Sequence, residues 1–74
     1  MTEITRPFDL LNSIMNEQVL VRLKGTRQLR GKLRAFDQHM NLVLDEAEEL
    51  EDDQLKSKLG KVIVRGDNIL YVSP

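Results

Sequence analysis

Residues 19–44, VLVRLKGTRQLRGKLRAFDQHMNLVL, carry the pattern from which the fold is predicted. Apolar and polar side chains alternate over 19–24, again over 28–36 and again over 41–47, and this period of two is typical of half-buried strands. Gly31 falls on the apolar face of the second segment, where a side chain would point inward. A glycine there predicts a sharp bend or a close backbone approach, such as the closure of a small sheet into a barrel requires.

Two segments lack the alternation of a strand: the one before the first strand pattern and the one after the third. Pro7 suits the first turn of a helix, and apolar residues at helical spacing predict a short helix over about residues 7–16. Residues 48–60 are rich in charge, and we interpret them as a solvated acidic loop.

The last two apolar runs, KVIV (61–64) and ILYV (69–72), predict a final hairpin around the turn RGDN (65–68). Together the segments predict a mainly β fold in a single domain. It consists of a short N-terminal α-helix followed by a five-stranded, strongly bent antiparallel sheet or barrel.

Both of these last runs are apolar on both faces of the strand. A strand with one solvated face should alternate, and an apolar edge is an aggregation hazard unless charge or proline blunts it. Two explanations remain open: burial of both faces inside one subunit, or pairing of a strand edge with a neighbouring copy. A chain of 74 residues buries only a modest core, so we favour the neighbouring copy.

Composition excludes several classes of function. The chain has one histidine and no cysteine, so disulfides and thiolate metal sites are excluded and no catalytic cluster is evident. No stretch is apolar for long enough to span a bilayer, and the N-terminus lacks the apolar core of a signal peptide. We therefore expect a cytoplasmic protein with no membrane partner, no enzymatic activity, no metal and no cofactor.

The net charge of −1 hides an uneven distribution. Residues 45–53 hold seven acidic side chains and no basic one, whereas residues 1–44 and 54–74 each carry a net charge of +3. The net charge alone would argue against an RNA partner. Because the acidic side chains are concentrated in one segment, the layout leaves such a partner open.

Two polar interruptions of the strand pattern, DQHMN (37–41) and RGDN (65–68), hold the candidate binding residues. The imidazole of His39 and the guanidinium of Arg65 are both planar, and stacking of such groups on a nucleobase is worth roughly 1–3 kcal/mol per base. The amide of Asn41 offers a donor and an acceptor side by side, which can match the edge of an unpaired base.

Most of the candidate residues also have a purely structural explanation. Asp37 and Asn41 are common turn residues whose side chains bond their own backbone, and Gly66 can simply supply backbone freedom. In a binding site, by contrast, Asp67 and the backbone of Gly66 would add hydrogen bonds to a ligand. Arg65 is harder to explain by folding alone, because an arginine that ends an apolar strand adds nothing to the core.

The whole pattern resembles the Sm and Sm-like (Lsm) protein family, and in particular the archaeal Sm-like proteins. Residues 19–47 are similar to the first Sm motif and residues 61–74 to the second, and the variable acidic loop 48–60 joins them. The most specific parts are RGKL, FDQHMNLVL and IVRGDNILYV, in that order. The resemblance covers nearly the whole chain and implies the Sm fold, an open barrel similar to that of SH3 domains.

The resemblance also implies a closed ring, usually of seven identical copies, in which the last strand of one subunit pairs with the fourth strand of the next. The planar groups of His39 and Arg65 would hold a uracil between them at the inner rim of the pore, and Asn41 would bind its polar edge. The RNA-binding residues implied in this way are Asp37, His39, Asn41, Arg65, Gly66 and Asp67. A second RNA contact on the helix-bearing face would involve Arg6, Asn12 and Phe36.

These features together imply an RNA chaperone or scaffold that binds single-stranded U-rich RNA, with RNA-processing proteins as further partners. One rival hypothesis is a small-barrel protein-interaction module whose docking surface is the acidic loop. Another is an accessory scaffold of an RNA-processing complex that binds RNA only in passing.

Overall fold

A computed structural model describes residues 6–74 as one helix followed by five strands. The elements in chain order are α1 (Pro7–Ser13), β1 (Gln18–Leu23), β2 (Arg27–Phe36), β3 (Leu42–Glu51), β4 (Gln54–Val64), a 3-10 turn (Gly66–Asn68) and β5 (Ile69–Ser73). All paired strands are antiparallel, which confirms the predicted fold class. Within the described residues, no helix has the length and apolar character needed to cross a membrane.

The helix is shorter than predicted, because it ends at Ser13 instead of residue 16. Pro7 does occupy its first turn. Past the helix, the backbone N–H of Asn16 donates to the carbonyl oxygen of Leu33 on β2 at 2.7 Å, with Asn16 at a φ of 66°. At Asn16 the backbone therefore bonds to β2 instead of continuing the helix, and the chain enters the sheet two residues later, at Gln18.

The predicted hairpin between the last two strands is wrong. The order of strands in the sheet is β4-β3-β2-β1-β5, so β4 and β5 lie at opposite edges. β5 pairs with β1 instead, with Val21 opposite Val72, and the backbone N–H of Lys24 donates to the carbonyl oxygen of Asn68 at 3.1 Å. The 3-10 turn therefore carries the chain from one edge strand to the other, and both doubly apolar runs are edge strands.

Gly31 marks a close approach between β2 and β3, as predicted. A Cβ atom at this position would lie 3.1 Å from the Cα of Ala47 and 3.1 Å from the carbonyl oxygen of Asp45. The pairing register between the two strands also shifts between Arg30 and Lys32. The missing side chain thus lets β3 cross β2 closely at the point where the register changes.

The prediction of a loop over residues 48–60 is also wrong, because these residues form the outer halves of β3 and β4. The two strands are joined by Asp52 and Asp53, which have φ values of 53° and 65° and so form the tight type of turn that suits a β-hairpin. Three of the acidic side chains of β3 face basic residues on the flanking strands, which reduces the repulsion among them. The ion pairs are Arg30–Glu48 (2.9 Å), Arg27–Glu49 (2.5 Å) and Lys56–Glu51 (3.3 Å).

The core is built from Leu11 on α1, from Ile14 directly after the helix and from the inward side chains of four strands. Its buried members are Leu11, Ile14, Val19, Val21, Leu29, Leu33, Leu42, Leu44, Ala47 and Val64. Leu42 and Val64 are partners in the β3–β4 ladder and both are almost fully buried. This pair therefore fixes the positions of the loop that precedes Leu42 and of the turn that follows Val64.

Replacing Gly31 by alanine should destabilise the fold, because the added methyl group would press on the backbone of β3. Overpacking of this kind costs about 1–3 kcal/mol, and chemical denaturation at fixed protein concentration would measure the loss. Ala35→Val is the matched control, because Ala35 lies on the same strand but is exposed, and exposed changes stay within about 0.5 kcal/mol. Equal losses in the two variants would contradict the assigned role of Gly31.

Candidate nucleic-acid interface

The β2–β3 loop, residues 37–41, and the 3-10 turn, Gly66–Asn68, are held against each other. The backbone N–H of Gly66 donates to Oδ1 of Asn41 at 2.8 Å. The two residues are 25 positions apart in the chain. The structure therefore brings together the two polar interruptions that the sequence singled out.

Asp37 organises the β2–β3 loop from within. Its Oδ1 accepts hydrogen bonds from the backbone N–H groups of His39 (2.9 Å) and Asn41 (3.0 Å), and its Oδ2 accepts one from Nδ2 of Asn41 (3.0 Å). The side-chain bond from Asn41, followed by the backbone bonds, holds the pKa of the Asp37 carboxyl below its ordinary value of 3.8. Asp37 thus holds the loop, and a direct contact of Asp37 with RNA stays a prediction.

Asn41 is fixed in orientation but keeps part of its hydrogen-bonding capacity. Its Oδ1 faces Gly66 and its Nδ2 faces Asp37. A primary amide has two N–H donors and two acceptor lone pairs, so one donor and one lone pair remain after these bonds. A planar ligand with adjacent acceptor and donor groups would complement that remaining pair.

Gly66 has a different structural role from the one considered in the sequence. Its backbone is not in the left-handed region that favours glycine. Instead, a Cβ atom at this position would collide with the carbonyl oxygen of His39 and lie 2.9 Å from the carbonyl carbon of Met40. Glycine is needed here because the turn lies directly against the backbone of the β2–β3 loop.

The planar side chains of the site are exposed. Nη2 of Arg65 donates to Oδ2 of Asp67 at 3.1 Å, and these two side chains are 75% and 62% exposed. Asp67 therefore braces the guanidinium and leaves its faces open. His39 is exposed as well, and within residues 6–74 its imidazole makes no hydrogen bond. Both groups are available for stacking on a ligand.

The structure reveals a cleft beside these residues that the sequence analysis missed. It has a volume of ≈ 390 Å³, and its lining includes the apolar side chains of Val43 and Ile63 together with Asn41 and Arg65. Ala35, Val43 and Ile63 are neighbours across β2, β3 and β4. The apolar run around Ile63 was visible in the sequence, but the cross-strand register that brings these lining residues together was not.

The residues suggested for a second RNA contact are not joined to one another. Arg6 forms an ion pair with Asp9 at 3.0 Å, and Asn12 is exposed on α1. Phe36 packs against Phe8 edge to face, with ring centroids 4.9 Å apart. An RNA contact at Arg6, Asn12 and Phe36 stays a prediction.

In the described part of the chain, no group of three or more His, Asp or Glu residues is arranged to hold a metal ion.

Comparison with known proteins agrees with this architecture. The LSM domain family model matches residues 9–74. A curated Sm-like protein of Methanococcoides burtonii is 59% identical over 69 residues, which cover 93% of this chain and 96% of that protein.

Solved structures are similar over almost the entire length. The Sm protein of Pyrococcus abyssii, solved in complex with a uridine heptamer, is 40% identical with a TM-score of 0.91, over 95% of this chain and 99% of that one. The SmAP1 heptamer of P. aerophilum is 42% identical with a TM-score of 0.87, over 97% of this chain and 96% of that one.

The bent five-stranded sheet, with its loop and turn held together at one end, defines a small barrel of the Sm type. The chain belongs to the LSM domain family.

Acid should release the β2–β3 loop only at low pH. Because the pKa of Asp37 is lowered in the folded protein, its stabilising bonds are fully present above pH 3.8 and are lost as the pH falls through the lower folded value. The backbone amide resonances of His39 and Asn41, followed by NMR, should therefore move with a midpoint below 3.8.

Asp37→Asn is the control for this titration, because the variant has no titrating group at that position and should lack the step. A step at the same pH in Asp37→Asn, or a wild-type midpoint above 3.8, would contradict the role assigned to the carboxylate.

Proposed function

We propose that this chain assembles into a closed ring, with seven copies as the expected number, that binds single-stranded U-rich RNA at the inner rim of its pore. It would act as an RNA chaperone or scaffold, without catalysis. The observation that carries the proposal is the Asn41 amide, which is locked between Asp37 and Gly66 beside two exposed planar groups, His39 and Arg65.

The two edges of the sheet support ring formation. β4 and β5 each have one edge without a partner strand in the described residues, and each exposes large apolar side chains. Ile63 on β4 is 75% exposed, and Leu70 and Tyr71 on β5 are 57% and 51% exposed. Such edges invite pairing with another chain, and a contact between two different edges closes into a ring when the rotation permits. The related protein of P. aerophilum is a heptamer.

The geometry of the site supports a preference for uracil. Uracil is small and planar, and it carries neighbouring donor and acceptor groups that match the free donor and lone pair of the Asn41 amide. His39 and Arg65 provide planar surfaces for stacking. The related Sm protein of Pyrococcus abyssii was solved with a uridine heptamer.

Repetition around a ring would raise the affinity. One pocket that holds a single base is a weak site, but several identical pockets on one rim bind a continuous strand with the effective concentration set by the RNA itself. A single uridine should therefore bind far more weakly than a uridine heptamer.

The rival hypothesis of an acidic docking loop is weakened. Three of the seven acidic residues in 45–53, namely Glu48, Glu49 and Glu51, form ion pairs with basic residues of the same chain. These three carboxylates are less available to a partner than the sequence suggested. A cytoplasmic location remains part of the proposal, since a chain without cysteine gains no disulfide from an oxidising compartment.

Replacing Asn41 by alanine should weaken binding of oligo(U) by about 1–3 kcal/mol per occupied site, because the selective hydrogen bonds to the base are lost. Titrations of oligo(U), oligo(C) and oligo(A) at one stated salt concentration would measure both affinity and preference. Asn68→Ala is the matched control, since Asn68 is an exposed amide whose side chain makes no hydrogen bond within residues 6–74. Unchanged oligo(U) affinity in Asn41→Ala would remove this residue from the site.

Replacing Ile63 by aspartate should dissociate the ring, because a charge would enter the paired edge of β4. Light scattering would report the fall in mass. Leu55→Asp is the control: Leu55 is 52% exposed at the far end of the same strand. β5 has only five residues and cannot cover all eleven of β4. A substitution of Ile69 on β5 is less suitable for testing the edge contact, because this side chain packs against the core and its loss would also disturb the fold. An unchanged mass in Ile63→Asp would contradict assembly through this edge.

A further inference from the structure

A second cavity, of ≈ 370 Å³, lies beside the nucleotide cleft of ≈ 390 Å³ described above. It is found where the end of β1, the start of β2 and the second half of β4 meet. Its apolar lining consists of Leu23, Leu29, Leu59, Val62 and Val64. This cavity is termed the barrel pocket, and none of its lining residues lies on β5.

The barrel pocket and the nucleotide cleft lie on either side of the end of β4. Ile63 and Arg65 line both cavities. Successive side chains of a strand point to opposite faces, and Val62 and Val64 accordingly line only the barrel pocket. Val43, the cross-strand partner of Ile63, lines only the cleft. A polymer held in the cleft can therefore continue into the barrel pocket by crossing the side chain of Arg65.

The charged residues that line the barrel pocket are two arginines, Arg27 and Arg65, and no acidic side chain of the described residues lines it. Arg27 donates from Nε to Oε2 of Glu49, and its side chain is 56% exposed. Arg65 donates to Asp67 from Nη2. A guanidinium has five N–H donors, so each arginine keeps donors that can bind an anion. Arg27 in particular keeps both of its terminal amino groups.

An apolar cavity bordered by two guanidinium groups suits a ligand that has a flat body and an anionic link, as a nucleotide within an RNA strand does. Contacts between arginine and phosphate are charge-assisted and often bidentate. The amide of Asn68 is at the border of the pocket, but within residues 6–74 no hydrogen bond fixes its side chain as Asn41 is fixed. A base in this pocket would therefore be held by burial and through its phosphate, with little selection among bases and little dependence on Asn68.

We propose that the barrel pocket binds the nucleotide that adjoins the uridine held at Asn41 in the same RNA strand, and that Arg27 contacts the phosphate between the two. The inference rests on the proposed function, because the first nucleotide must be bound for the second to be placed. An acidic peptide would match the arginines but not the apolar wall. The residues shared between the two cavities, Ile63 and Arg65, favour the RNA strand as the occupant.

Binding in the barrel pocket must be distinguished from binding of a second uracil at the cleft of a neighbouring subunit. The dinucleoside monophosphates UpA and ApU make this distinction. Each has one uracil for the cleft, and its adenine does not match the Asn41 amide as uracil does. Each also has only the one phosphate that links its two nucleosides, so uridine without phosphate is the reference ligand.

The first test compares the affinities of the wild-type protein for uridine, UpA and ApU at one stated salt concentration, measured by calorimetry or NMR. The dinucleotide whose linkage runs in the fitting direction should bind at least about fivefold more tightly than uridine, as expected of one added charge-assisted contact. Arg27→Gln should abolish this gain and leave the affinity for uridine unchanged, because Arg27 does not line the nucleotide cleft.

Arg30→Gln is the matched control. Arg30 lies on the same strand and pairs with Glu48 as Arg27 pairs with Glu49, but it does not line the barrel pocket. The two variants therefore lose the same charge and the same kind of ion pair. The inference would be overturned if neither dinucleotide bound more tightly than uridine, if the gain persisted in Arg27→Gln, or if Arg30→Gln lost it equally.

The second test locates the added nucleotide by NMR of methyl groups. The methyl resonances of Leu29 and Val62 should shift with the tighter dinucleotide but not with uridine, and those of Leu55, at the far end of β4, should shift with neither. Shifts confined to Val43 in the nucleotide cleft would overturn the inference. So would binding of a tetraglutamate peptide that depends on Arg27 without any gain for the dinucleotides, since the pocket would then be a docking site for an acidic chain.

These outcomes separate the two proposals. If the wild-type protein binds neither uridine nor oligo(U), the proposed function itself fails. If it binds both, but UpA and ApU bind no more tightly than uridine, only the second nucleotide site fails.

Discussion

The pairing of Leu42 with Val64 across β3 and β4 is the constraint on which the rest of the site depends. Both side chains are buried in the core, so the ends of these two strands cannot separate without opening it. The loop that precedes Leu42 and the turn that follows Val64 therefore start side by side. The bond from Gly66 to Asn41 and the bracing by Asp37 are local refinements of a position that the hydrophobic core has already set.

The same sheet leaves a problem that one copy does not solve. Its two edge strands expose Ile63, Leu70 and Tyr71, and the described chain provides no strand to cover either edge. A domain this small has little further apolar surface with which to bury them. In the proposed ring, assembly with identical copies would cover both edges at once and would place the loop and turn of every copy in the same relation to the ring axis. The proposal of assembly thus follows from the two unpaired edges.

The distribution of charge has a different meaning in three dimensions from the one suggested by the sequence. Seven acidic residues in a run look like a repulsive segment that must be solvated. In the sheet, Glu48 and Glu49 face Arg30 and Arg27 on β2, and Glu51 faces Lys56 on β4. Exposed pairs of this kind add little stability individually, but they reduce the repulsion within the segment at three of its seven acidic residues.

The sequence by itself determined the local features: the short helix, the existence of the five strand segments, the special position of Gly31 and the two polar interruptions that form the site. Each of these rests on the alternation or spacing of neighbouring side chains, which is encoded locally. Only the tertiary structure decided which strands pair, that β4 and β5 lie at opposite edges, that residues 48–60 extend β3 and β4, and that Gly66 packs against His39. These outcomes depend on contacts between residues far apart in the chain, and the energy of such contacts exists only once the core has formed.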